Sequence, residues 1–141
     1  MRRLITIIFF TFLSCVENKN SVVIASEFFE KLKNDNKAVL IDVRTPEEFN
    51  KGHLRNALNV NWFDENFEKN LKIFSKDLPI YVYCLSGGRS SQANEKIKSM
   101  GFENVFELEG GILEWRKNNL PESKIENNLN NSLTVADFNK L

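Results

Sequence analysis

At 141 residues the chain holds about one domain's worth of polypeptide, so a single hydrophobic core is expected. Its 19 Lys and Arg balance 19 Asp and Glu, and this zero net charge excludes an electrostatic nucleic-acid footprint, which needs clustered basic excess. Two Cys and one His are too few for a structural four-ligand zinc site or a disulfide framework, while 42% hydrophobic against 27% charged residues describes a globular body.

Residues 1–14 read as a leader. Arg2 and Arg3 give it a positive start, and Leu4 to Leu13 is apolar apart from Thr6 and Thr11. From Leu4 to Val16 there are 13 residues, short of the ~20 that a helix needs to cross a bilayer, so the stretch predicts a secretory signal. Phe12-Leu13-Ser14-Cys15 resembles the lipobox of bacterial lipoproteins, with Phe12 where Leu more often stands. That resemblance implies lipidation of Cys15, a tether over 15–20, and an exported protein of the periplasm or cell envelope anchored to the membrane by its lipid. Loss of residues 1–14 removes two Arg and leaves 17 positive against 19 negative side chains.

From Ser21 onward strands and helices alternate. Val22-Val23-Ile24 is a β-branched run, and Ser26 to Leu32 is helical, with Phe28 and Leu32 on one face. Ala38-Val39-Leu40-Ile41 is continuously apolar, as a strand buried on both faces should be, and it ends in Asp42-Val43-Arg44. Thr45-Pro46-Glu47-Glu48 carries a capping box with Pro at the first helical position, and Gly52 closes that helix. Ala57 to Val60 predicts a third strand, followed by a helix through Phe63, Phe67, Leu71 and Phe74; Glu65, Glu68, Lys69 and Lys72 form its solvated face, with Glu68 and Lys72 in favourable order. Ile80 to Tyr83 is a fourth strand that stops at Cys84. A helix carrying Ala93, Ile97 and Met100 then ends at a left-handed Gly101, Val105 to Leu108 is a fifth strand, and Gly110-Gly111 opens a last helix with Ile112 and Trp115. The fold class is therefore α/β: a five-stranded, mostly parallel sheet flanked by helices on both faces, with its site beyond the carboxyl ends of the strands.

Cys84 lies at such an end, in Cys84-Leu85-Ser86-Gly87-Gly88-Arg89-Ser90. Glycines let backbone N–H groups turn inward as an anion-binding nest. The following helix adds its positive end, and Arg89 adds a fork of charged donors. All three favour a thiolate, so Cys84 is expected below the ordinary thiol value, and the bowl suits an anion.

This loop resembles the active-site loop of rhodanese-like sulfurtransferases, Cys-x-x-Gly-x-Arg-Ser, matched by Cys84, Gly87, Arg89 and Ser90. Ile41 to Phe49, then Gly52-His53-Leu54 with Ala57, is similar to that family's first signature, and Leu108 to Trp115 to its closing one. The resemblance covers residues 21–120. It implies sulfur transfer from a small anionic donor such as thiosulfate through a persulfide on Cys84, with the backbone of Leu85, Ser86, Gly87, Gly88 and Arg89 holding the terminal sulfur. The acceptor is then a thiol, a thioredoxin-like dithiol among the candidates, or cyanide. No cofactor and no metal enter this scheme. The four residues between Cys84 and Arg89 make a tighter ring than the five of related phosphatases. A non-catalytic rhodanese-like binding module is the other reading.

Where the family has Ile-Pro-Gly-Ala after its His, this chain has Leu54-Arg55-Asn56-Ala57; Asn56 can take the left-handed turn, and Arg55 puts a charge near the surface. His53 is expected to make a structural hydrogen bond rather than serve as a base, and Asp42 to pair with backbone or Arg44 as a brace. Phe106 and Trp115 are core. Residues 121–141 read as a polar linker whose end, Ser132 to Leu141, looks like the opening of a thioredoxin-type domain: either the start of a truncated second domain or a tail that packs on the body.

Overall fold

A computed structural model describes residues 21–123. The leader, Cys15 and the tether predicted over 1–20 lie outside the described residues, as does all but the start of the tail predicted over 121–141.

In chain order the elements are β1 (Val22–Val23), α1 (Ala25–Asn34), β2 (Val39–Asp42), α2 (Pro46–Asn50), β3 (His53–Leu54) and β4 (Leu58–Asn59). There follow α3 (Phe67–Leu71), β5 (Ile80–Tyr83), α4 (Gly88–Ser99), β6 (Val105–Leu108), α5 (Gly111–Lys117) and β7 (Glu122–Ser123). Five strands form one sheet in the order β1-β6-β5-β2-β4, and every neighbouring pair is parallel. These are the five strands that the sequence predicts.

Alternation along the strands sorts side chains into two cores. Leu40, Tyr81, Tyr83, Phe106 and Leu108 face Phe28 of α1, Phe49 of α2 and Ile112 and Trp115 of α5. Ile41, Val43, Ile80, Val82, Val105 and Cys84 face Phe67 and Leu71 of α3 and Ala93 and Ile97 of α4. Phe28, fully buried, meets Tyr81 edge-on at 5.2 Å and Trp115 at 6.4 Å. Because Cys84 continues the Ile80–Val82 side of β5, its sulfur emerges on the face covered by α4.

Three expectations are corrected. The helix predicted through Phe63 to Phe74 is only Phe67–Leu71. Asn61 and Asp64 side chains accept backbone N–H bonds from Phe63 and Asn66, a local turn that competes with helix and leaves Phe63 exposed. Glu68 does not pair with Lys72 but reaches across to Lys96 of α4 at 2.6 Å. And the body runs past residue 120: β7 pairs antiparallel with β3, Arg116 grips Glu122 with two bonds of 2.9 and 3.0 Å, and the Trp115 indole donates to the Pro121 carbonyl at 3.1 Å. Two-residue strands carry no periodicity to read.

Candidate functional site

The site forms where β2 and β5 end side by side. At the end of β2, Asp42 and Arg44 are both buried. Arg44 donates through Nε and Nη2 to both Asp42 oxygens, at 2.6 to 3.0 Å, and through Nη2 to the Gly52 carbonyl at 2.7 Å. Burial lowers the Arg44 pKa, but the Asp42 carboxylate overrides it and holds the guanidinium above its ordinary value. Asn59 ties the Asp42 and Arg44 carbonyls to β4. Tyr83 stacks under the guanidinium at 5.7 Å and accepts the Leu54 N–H through its hydroxyl at 3.0 Å. The expected brace is present.

His53 takes the structural role predicted for it. Its ring stacks on Phe49 at 3.8 Å and its Nδ1 donates to the Phe49 carbonyl at 3.0 Å. Asn56 occupies the left-handed region at φ 64°, so the turn survives the absence of Gly, and Arg55 is exposed.

Cys84 is only 1% exposed and forms the floor of the loop. Gly87 adopts φ 107°, a conformation that favours glycine, and this aims its N–H at the Cys84 sulfur, 3.1 Å away. The Ser90 hydroxyl lies 3.4 Å from the same sulfur. Burial pushes the thiol pKa up, but the Ser90 hydroxyl and the amides of Ser90, Gly87 and Ser86 outweigh it and hold Cys84 below the ordinary thiol value. Of the amides expected from Leu85 to Arg89, those of Ser86 and Gly87 act on the sulfur, joined by that of Ser90. Ser86 and Gly88 make the exposed rim of the loop. Leu85 turns away: its side chain packs against the α1/α5 core and its carbonyl accepts the Leu113 N–H at 3.1 Å.

The loop is supported from behind by α5. The Ile112 N–H donates to the Cys84 carbonyl at 2.9 Å. At Gly111, φ 59°, an added Cβ would stand 2.5 Å from that same carbonyl oxygen and 2.6 Å from that of Leu85. The closing Gly-Gly thus lets α5 approach the loop backbone directly.

Arg89 differs from expectation. The sequence suggests a guanidinium that draws an anionic donor and favours the thiolate; the Cys84 charge does reach it, but its fork is already bidentate to Glu48, Nη1–Oε2 2.6 Å and Nη2–Oε1 2.8 Å. Glu48 is also the capping-box carboxylate of α2, where its Oε2 accepts the Thr45 N–H at 3.0 Å and its own N–H donates to Thr45 Oγ1. The Arg89 hydrogen bonds hold the Glu48 carboxyl down to about 2, and the exposed ring of Phe63 lies 5.8 Å from the guanidinium. Arg89 stands at the rim as a positive charge already matched by a negative one.

Two site residues escape sequence reasoning. Glu48 is legible as a cap, but nothing in its spacing links it to Arg89 across 41 positions. Glu107 is a carboxylic acid buried in β6, its Oε1 2.8 Å from Ser90 Oγ. Its signal is an acidic residue in the middle of the otherwise apolar Val105 to Leu108. Among the described residues, no three His, Cys, Asp or Glu side chains group as metal ligands.

A parallel sheet with a buried cysteine at a strand end, its sulfur facing a backbone N–H and followed by an α-helix, defines an α/β fold with its site beyond the carboxyl edge of the sheet. The rhodanese-like domain family model matches residues 25–118, and the chain belongs to that family. It is 34% identical over 112 residues to the tRNA uridine(34) hydroxylase of Buchnera aphidicola, covering 74% of this chain and 35% of that protein. It is 37% identical over 91 residues to thiosulfate sulfurtransferase 16, chloroplastic, of Arabidopsis thaliana, covering 57% and 76%. Of the solved structures, a rhodanese-related protein of Thermoplasma volcanium superposes with a TM-score of 0.64 at 28% identity, over 72% of this chain and 96% of that one. The chain thus spans about a third of the hydroxylase that it matches.

Proposed function

We propose that this chain is a sulfurtransferase that carries sulfane sulfur on Cys84. The observation that supports the reading best is the 3.1 Å contact of the Gly87 N–H with the Cys84 sulfur, because a nest of amides around a single sulfur stabilises both a thiolate and the outer sulfur of a persulfide. The Cys84 thiolate attacks the outer sulfur of a thiosulfate-like anion, entering past the exposed rim of Ser86 and Gly88. A Cys84 sulfur–sulfur bond forms, the donor's sulfur–sulfur bond breaks, and sulfite leaves with that electron pair. An acceptor thiolate, or cyanide, then attacks the terminal sulfur, and Cys84 departs as the thiolate. No general base is needed if sulfur is already ionised.

Incubation of the purified protein with thiosulfate is expected to add about 32 Da to the Cys84 peptide by mass spectrometry, and Cys84→Ser to abolish both the adduct and thiocyanate formation. Absence of any adduct with several sulfane donors would favour a binding module instead, a reading that the burial of Cys84 and the engagement of Arg89 by Glu48 support. Export with lipidation of Cys15, and a thioredoxin-like dithiol acceptor, belong to the same proposal. Membrane fractionation of wild type against Cys15→Ser tests the first, and persulfide transfer to a reduced dithiol protein tests the second.

A further inference from the structure

Behind the Cys84 sulfur, Ser90 of α4 and Glu107 of β6 are two buried groups that the sulfur-transfer scheme does not use. Cys84 Sγ lies 3.4 Å from Ser90 Oγ, and Ser90 Oγ lies 2.8 Å from Glu107 Oε1. Ser90 is fully buried and Glu107 is 5% exposed. The Ser90 oxygen is also 3.0 Å from the Gly87 carbonyl, which can only accept. A hydroxyl has one proton to give, while three acceptors surround this one when sulfur and carboxyl are both ionised.

Proton counting resolves the conflict. If Glu107 is ionised, its carboxylate takes the Ser90 proton, and the sulfur loses a donor while gaining an anionic neighbour. If Glu107 is protonated, its own O–H donates to Ser90 Oγ, and the serine proton is left to the sulfur and the Gly87 carbonyl, of which the charged thiolate is the stronger acceptor. We propose that Glu107 is a positioning residue for the reactive sulfur: its protonated carboxyl donates to Ser90 Oγ and so turns the single Ser90 hydroxyl proton onto the Cys84 thiolate. This inference rests on the reading of Cys84 as the reactive group.

The surroundings shift the Glu107 carboxyl toward its protonated form. Burial raises the Glu107 carboxyl above its ordinary value, and this outweighs the hydrogen bonds from Ser90 and Asn94. The charged groups that face it come from α4, where Lys98 lowers the carboxyl and Glu95 raises it; on the β1 side the uncharged Ser21, just before the strand, accepts the Glu107 N–H through its carbonyl, and apolar Val22 stands opposite in register. Arg89, at the start of α4, is paired with Glu48, so its charge is already matched. A carboxylate and a thiolate sharing one hydroxyl are coupled, and the protons leave the pair in two steps.

The test is the pH dependence of Cys84 alkylation by iodoacetamide, a neutral probe that needs no sulfur donor, read on the Cys84 peptide by mass spectrometry. Wild type is expected to gain reactivity over two ionisation steps. Glu107→Gln, which offers Ser90 a donor at every pH and carries no charge, is expected to show one step with its midpoint between the two of wild type. Ser90→Ala is expected to lower the rate at neutral pH by roughly tenfold, the worth of a hydrogen bond to a charged group, and Ser90→Ala/Glu107→Gln to match Ser90→Ala alone. Superimposable wild-type and Glu107→Gln profiles, a Glu107→Gln midpoint at or above the second wild-type step, or independent additive effects would overturn the proposal. In the unsubstituted protein, the carbon-13 signal of the Glu107 carboxyl should titrate at lower pH once Cys84 is alkylated; an unmoved midpoint also overturns it. A missing thiosulfate adduct would sink the sulfur-transfer reading while leaving these profiles intact.

Discussion

Two polar clusters sit side by side at the carboxyl edge of the sheet, and they are built on opposite principles. In the cluster of Asp42 and Arg44 each buried charge faces its opposite, and Arg44 Nη2 also meets the Gly52 carbonyl. In the cluster of Cys84, Ser90 and Glu107, two groups that ionise with the same sign converge on one hydroxyl. The first arrangement leaves neither charge without its opposite. The second leaves two acids competing for one hydroxyl proton, an arrangement that suits a group whose charge changes during a reaction. Burial alone does not separate structure from chemistry here, since both clusters are buried; the matching of charge does.

That contrast predicts unequal responses to mutation. The largest loss of stability is expected from Arg44→Ala, which strands Asp42 without its counter-charge inside the protein. Breaking a buried pair from one side costs about 3–5 kcal/mol, measurable as a lower urea midpoint with unchanged slope. If Arg44→Ala destabilised the fold no more than an exposed substitution does, the division into a brace and a reactive cluster would fail. Gly111→Ala is next. Its Cβ would collide with the Cys84 and Leu85 carbonyls, so α5 must move off the loop at a cost of about 1–3 kcal/mol. Thiosulfate loading of Cys84 should fall by more than the fraction of unfolded protein, because the displaced backbone is the one that carries the sulfur.

The central strands and the reactive loop were legible because their signals are local. Four consecutive apolar residues at Ile80 to Tyr83 ending in a Cys, then glycines, then a helix, imply both the sheet and an inward-turned amide nest without reference to anything distant. Asn56 and the capping box at Thr45 were readable for the same reason. What escaped was long-range pairing. Arg89 reads from its loop as a free charge, and only the docking of α2 against α4 brings Glu48 to it. Glu68 reads as the partner of Lys72 until α3 proves too short and α4 presents Lys96. The strand Glu122–Ser123 looks like part of a polar tail, because pairing with His53 and Leu54 is decided by the fold and not by the composition of two residues.

The pair Glu48–Arg89 lies between the two clusters in character: its charges match, as in the brace, but it sits at the partly exposed rim of the reactive loop. Its stability effect is expected to be the smallest of the three, about 1 kcal/mol or less, because solvent screens a partly exposed pair. The sign follows from linkage. A carboxyl held down to about 2 in the folded protein stabilises the native state above its unfolded value of about 4.3, and that contribution is lost as pH falls toward 2. Glu48→Gln should therefore reduce stability at neutral pH and flatten the loss between pH 4.3 and 2, as read by thermal melts across that range. It also frees the Arg89 fork. If the guanidinium is what draws an anionic donor, Glu48→Gln should load Cys84 from thiosulfate at lower donor concentration while leaving iodoacetamide, a neutral probe, less affected. A variant that loads no better would assign Arg89 to holding α2 against α4, and would make the rim, like the brace beside it, a structural cluster.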